Sequence, residues 1–152
     1  MKTIGIDPGF TGAIAVFENG RPVIVYDMPV LKVGKKTEIN EMELLNIFHE
    51  HIQASVFIEK AQTMPGQGIS STGRYLIGYG IIRGMVTALM MPLTLVHPKT
   101  WKAKLMRDMQ KEKQASVLRC QQLYPEFACE WLKLKKHHGR ADAILIAAYG
   151  GY

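Results

Sequence analysis

Apolar positions along the chain recur in two rhythms, a short one that suits strands and a longer one that suits helices. Residues 1–7 hold Ile4-Gly5-Ile6 and end on Asp7, which reads as a strand closing on a carboxylate. Pro8-Gly9-Phe10-Thr11-Gly12 reads as a turn, and residues 13–17 are a second apolar run. Asn19-Gly20 is a two-residue hairpin signal and residues 21–26 alternate, so three antiparallel strands open the fold. The basic, glycine-containing stretch 31–37 reads as a loop. Residues 39–52 set Leu44, Leu45, Ile47 and Phe48 on one helical face, and a strand at 55–59 follows. A helix between strands is the connection that brings a chain back parallel, so Asp7 and Glu59 are expected at neighbouring strand ends.

Residues 61–73 are polar and glycine-rich, an irregular stretch long enough to be a functional loop. Residues 75–90 resemble a buried helix whose Gly78, Gly80 and Gly84 suggest close backbone packing. A strand at 93–96 comes next, and Pro98 opens a helix as a first-turn proline. A further helix at 113–123 stops before Pro125, and the last starts near Gly139 and runs through the apolar residues 144–148. The chain shows no internal repeat, low-complexity tract or linker. Its 152 residues suffice for one ordinary core, so the expectation is a single α/β domain over 1–152.

Charge divides the chain. Residues 1–75 carry 7 Lys/Arg against 8 Asp/Glu, a net of −1, while residues 76–152 carry 12 against 5, a net of +7. A basic half suits a polyanionic partner. Cys120 and Cys129 match neither a metal knuckle nor a disulfide framework and read as buried, reduced thiols. The apolar stretches fall short of the roughly 18 residues of a membrane span, and the first apolar run reads as a structural strand rather than a leader. The expectation is a protein with no membrane contact, located in a bacterial cytoplasm or in a host cytoplasm if phage-encoded.

Asp7, Glu59 and Asp142 interrupt apolar segments where a charge is costly without a partner. Each by itself could be a capped or salt-bridged carboxylate, but the order strand-Asp, hairpin, helix, strand-Glu, late helix-Asp is specific as a set. Converging carboxylates repel without a cation, and hard oxygen ligands suit Mg²⁺ or Mn²⁺. Two such ions about 4 Å apart can activate water and stabilise the leaving oxygen in phosphodiester cleavage. His138 lies four residues before Asp142 and shares a helical face with it if the helix already includes His138.

In these residues the chain resembles the RuvC-type Holliday junction resolvases, most closely the phage and plant-organelle branch. The resemblance is carried by Ile4-Gly5-Ile6-Asp7-Pro8-Gly9 with Thr11-Gly12, by Ile58-Glu59-Lys60, by the glycines from Gly78 to Gly84, and by His137-His138-Gly139-Arg140-Ala141-Asp142-Ala143 with Ala147-Ala148-Tyr149-Gly150. It implies a ribonuclease H-like fold with a mixed five-stranded sheet flanked by helices, a homodimer, and paired symmetric nicks in a four-way DNA junction by two-metal catalysis. It also implies that Asp7 bridges two Mg²⁺ ions, for which Mn²⁺ substitutes, that Glu59 and Asp142 each hold one, and that His138 ligates metal or orients water. His137 is the alternative for that last position.

Lys99, Lys102, Lys104, Arg107, Lys111 and Lys113 surround Trp101, and Lys133, Lys135, Lys136 and Arg140 form a second cluster near the proposed site. Beside a nuclease site these read as phosphate contacts rather than solvated faces, gripping DNA without regard to sequence. The segment after Glu59 offers Gln62, Met64, Gln67, Ser71, Thr72, Arg74 and Tyr75 as contacts to the junction centre, where an apolar or aromatic group could wedge a base step. The apolar excess of the 75–90 helix suits a dimer interface or burial within the monomer. Three other readings compete: a nucleotide-binding protein of the actin, sugar-kinase and Hsp70 type, which needs two such domains; a nuclease for RNA or RNA/DNA hybrids; and a non-catalytic branched-DNA-binding protein.

Overall fold

Strand β1 (Lys2–Asp7) is central because its side chains alternate between two apolar layers. Ile4 and Ile6 enter one layer, with Ile14, Val16, Leu44, Phe48, Val56 and Ile58. Gly5 faces the other, where Phe17, Trp101 and the last helix lie. The computed structural model describes every residue except Met64, Gln67, Lys113 and Tyr152, and describes Lys135 by its backbone alone.

β2 (Ala13–Glu18) and β3 (Arg21–Asp27) continue the sheet antiparallel to β1. Asn19 and Gly20 join them with φ of 51° and 77°, the left-handed pair that a tight hairpin turn of this hand requires. Residues 31–37 are not a loop. β4 (Val30–Val33) and β5 (Lys36–Ile39) form a separate two-stranded hairpin that turns at Gly34. A lysine masks the alternation here, since Lys32 shares one face with Val30, Thr37 and Ile39.

Helix α1 (Glu41–Glu50) begins at Asn40, whose side-chain oxygen accepts the Glu43 N–H at 3.3 Å, and it buries Leu44, Ile47 and Phe48. β6 (Ser55–Glu59) then pairs parallel to β1. Helix α2 (Ile69–Ala88) starts well before Tyr75, so Ser71, Thr72, Arg74 and Tyr75 belong to a helix, not to a loop. Its later buried positions, Gly78, Tyr79, Ile82 and Val86, anchor a first turn too polar and glycine-rich to signal a helix locally. Of the four α2 glycines, only Gly78 packs tightly, since a Cβ there would lie 3.3 Å from Ile39, while Gly73, Gly80 and Gly84 face open space.

β7 (Leu93–Val96) completes a five-stranded mixed sheet in the order β3-β2-β1-β6-β7. α3 (Pro98–Leu105) and α4 (Ala115–Leu123) follow; Pro125 then opens a further helix, α5 (Pro125–Trp131), that the alternation does not reveal. Both cysteines are free, and burial holds for Cys120 but not for the exposed Cys129. A short 3-10 turn over Lys135–His137 leads into α6 (His138–Gly150), which lies across β1 and β2. That approach depends on missing side chains. A Cβ on Gly5 would collide with the Ala143 carbonyl and the Ala147 amide, and one on Gly139 with the Thr11 carbonyl. Among the described residues no helix is long and apolar enough to cross a membrane.

Candidate active site

Strand alternation and register bring the carboxylates together. Ile6 pairs with Ile58 in the parallel β1–β6 ladder, so Asp7 and Glu59, each one residue further on, leave adjacent strands at the same edge. Both belong to the series that faces α6, because Ile4, Ile6, Val56 and Ile58 occupy the opposite layer. Asp142 comes to that face from the first turns of α6.

The three groups share one field. Burial first, then the charge of Asp142 and more weakly that of Glu59, pushes the Asp7 carboxyl up to about 7; the Gly9 N–H at 3.4 Å and the Lys102 ammonium act against this. Burial likewise raises Glu59, opposed by a hydrogen bond from the Trp101 indole N–H to Oε2 at 2.7 Å and by Lys102. Burial raises Asp142, opposed by a hydrogen bond from Ser116 and by the charges of Lys102 and His138. Asp142 Oδ1 and His138 Nδ1 are buried and have no hydrogen-bond partner among the described residues. An orphaned carboxylate oxygen amid mutually repelling carboxylates is the donor chemistry that a hard divalent cation satisfies. Among the described residues no three carboxylate, imidazole or thiol groups stand close enough to share an ion.

Of the two histidines, His138 is the one whose charge acts on Asp142, because it occupies the first position of α6, four residues before the carboxylate. His137 is occupied elsewhere, its Nδ1 accepting the Leu134 N–H at 3.3 Å. Beside them, Phe10, Thr11, Val30, Lys136, His137 and His138 line part of a cavity of about 370 Å³.

No family model and no curated protein matches the chain. Solved structures do. The chain is similar to T. thermophilus RuvC in complex with Holliday junction substrate, with a TM-score of 0.68 at 19% identity, over 97% of this chain and 90% of that one. It is also similar to a Thermus thermophilus RuvC structure, with a TM-score of 0.55 at 19% identity, over 97% of this chain and 92% of that one. The fold is the ribonuclease H-like fold of RuvC. The expected α/β class, with a mixed five-stranded sheet flanked by helices, is the one observed.

The proposed DNA contacts separate into groups on this scaffold. Lys99, Lys102, Lys104, Arg107 and Lys111 are exposed on α3 and the segment after it, and Lys136 is exposed before α6. Gln62 is exposed and its amide meets His97 Nε2 at 2.9 Å, which ties the segment after β6 to the start of α3. Ser71 is exposed on α2, Thr72 and Arg74 are half-buried, and the half-buried Tyr75 sits near enough to Asp7 and Glu59 that burial and those charges push its phenol up to about 12. Met64, Gln67, Lys113 and the side chain of Lys135 lie outside the described residues.

Two placements are corrections. Trp101 is not a surface contact; it is fully buried and donates to Glu59. Its spacing of four from the buried Leu105 marks an inward helix face, a signal obscured by the lysines on either side of it. Arg140 is not a free phosphate ligand. Its fork holds Asp27 through Nε at 2.6 Å and Nη2 at 2.7 Å, and Nη1 donates to the Trp131 carbonyl at 3.0 Å. Ser116 had no sequence signal, because it reaches Asp142 only through the packing of α4 on α6.

Proposed function

We propose that the protein is a metal-dependent endonuclease that resolves four-way DNA junctions by paired symmetric nicks. The observation that carries this reading is the coupled carboxylate set Asp7, Glu59 and Asp142 on one face of a RuvC fold. The T. thermophilus RuvC neighbour is solved with a Holliday junction substrate, which favours branched DNA over other polyanions.

In this reading Asp7, Glu59, His138 and Asp142 hold two Mg²⁺ ions per site, and Mn²⁺ substitutes. The bound metal supplies a nucleophile at neutral pH and charge stabilisation at the leaving oxygen. Asp7, in the field of the other two carboxylates, would hold metal together with them, and His138 would hold metal or orient the attacking water. Lys102 places a cation within the field of all three carboxylates, where it stabilises charge on a phosphate oxygen. Lys99, Lys104, Lys111 and Lys136 grip the phosphates of the arms, while Tyr75 and the segment from Gln62 to Arg74 meet the junction centre.

The two nicks require two sites, which a homodimer provides. Support comes from α2, whose Ile77 and Leu76 are exposed beside the open Gly80 and Gly84. A single nuclease domain spanning 1–152 is part of the same proposal. The test is a nicking assay with Mg²⁺ on a synthetic four-way junction, a linear duplex and an RNA/DNA hybrid of matched sequence. Paired junction-selective cuts support the reading. Cleavage of the hybrid alone would keep the chemistry and remove the substrate assignment, and binding without cleavage would make this a branched-DNA-binding protein.

A further inference from the structure

We infer that Trp101 is a positioning residue that fixes both the Glu59 carboxylate and the Lys102 ammonium for the reaction at the carboxylate site. The inference rests on the nuclease reading above and adds a residue to it.

Trp101 is fully buried, and a tryptophan at that depth needs a partner for its indole N–H. The partner is Glu59 Oε2 at 2.7 Å, the short end of the range for a hydrogen bond to an ionised acceptor. A glutamate side chain has rotatable bonds that a shorter carboxylate lacks, and tying down one oxygen removes that freedom while leaving Oε1 for a second partner. The ring also serves Lys102, whose Nζ lies 5.0 Å from the ring centroid. One rigid side chain therefore sets the relation between an acidic group and a cation whose charge acts on Glu59, Asp7 and Asp142.

The mounting of Trp101 is firm. His97 caps α3 by accepting the Lys99 N–H at 3.2 Å on Nδ1, and Pro98 occupies the first turn. Trp101 follows three residues after Pro98, with Leu105 packing one turn later into the same core layer. A core-filling role would be met by any large apolar ring. An N–H aimed at a carboxylate, with a cation over the ring, is more than filling requires.

The test replaces Trp101 with its benzothienyl isostere, which keeps shape and ring face and deletes only the N–H, alongside Trp101→Phe and the remote control Trp131→Phe. Mn²⁺ binding to the DNA-free protein is measured by calorimetry, and kcat and junction Kd are measured separately. The isostere should keep the fold by circular dichroism and keep junction Kd in chelator within about twofold. It should weaken Mn²⁺ binding about tenfold or more and lower kcat by about 10- to 100-fold, the usual cost of removing a group that orients a ligand. Trp101→Phe should do the same and also melt earlier, while Trp131→Phe leaves Mn²⁺ binding unchanged. If either Mn²⁺ affinity or kcat of the isostere equals wild type, Trp101 is packing alone and the inference is overturned. Wild-type protein that neither binds Mn²⁺ nor cuts DNA would instead remove the nuclease reading itself, and the positioning role with it.

Discussion

Asp7 is a buried carboxyl in the field of two others, and its surroundings make two predictions. Substituting Asp7→Asn keeps the shape of the side chain and removes the charge. Junction nicking should fall below detection while junction binding, measured by gel shift in chelator, stays near wild type. Stability should also change with pH in a defined direction. The carboxyl sits at about 7 in the folded protein and near its ordinary 3.8 when unfolded, so between those values the native state holds the proton more tightly. Stability of the metal-free protein is then greatest below about pH 4 as far as this group is concerned, and declines as pH rises towards 7 by at most about 1.4 kcal/mol per unit. Urea unfolding midpoints in chelator should be higher at pH 5 than at pH 8. Asp7→Asn should flatten that difference and exceed wild type at pH 8, and added Mg²⁺ should restore wild-type stability.

Between elements, the closest fit is that of α6 on β1. Gly5 and Gly139 leave room for backbone atoms of Ala143, Ala147 and Thr11, so a methyl group at either position must push the helix off the sheet. Gly5→Ala should cost on the order of 3 kcal/mol, the upper part of the range for overpacking a core, and thermal melting reads the loss directly. Gly139→Ala should be milder in stability but should depress Mg²⁺ affinity, because it displaces the turn that carries His138 and Asp142. Arg140 ties the same helix to β3 through Asp27, whose carboxyl it holds below its usual range. These relations were partly legible in the chain. The Asn19-Gly20 hairpin and the strand ends at Asp7 and Glu59 follow from local turn chemistry and alternation. The β4–β5 hairpin, the early start of α2 and the existence of α5 do not, because lysines, glycines and a proline obscure the periods there.

Across the whole molecule, the exposed lysines of α3 and the segment after it extend from the carboxylate site, an arrangement suited to holding DNA arms through phosphates. Each phosphate contact contributes about 0.9 to the slope of log affinity against log salt, so single Lys99→Ala, Lys104→Ala or Lys111→Ala changes should each lower that slope by about 1. Trp101 and Arg140 should not behave this way, since one is buried against Glu59 and the other is held by Asp27. A titration of junction binding between low and moderate salt distinguishes the two groups. If the lysines leave the slope unchanged, DNA runs over another face.

The sequence by itself determined what is local: the five strands of the main sheet and the places of Asp7 and Glu59 at the ends of two of them. Alternation has a period of two and helical burial one of 3.6, and both can be read along the chain without knowing its path. What touches what across the sheet was decided by tertiary structure alone. Trp101 among lysines looks like a surface aromatic until α3 turns it inward to Glu59; Arg140 looks like a free cation until β3 brings Asp27 beside it; Ser116 reaches Asp142 only because α4 packs on α6. Those partners are 42 and 113 residues apart for the tryptophan and the arginine, a separation over which no local periodicity carries information.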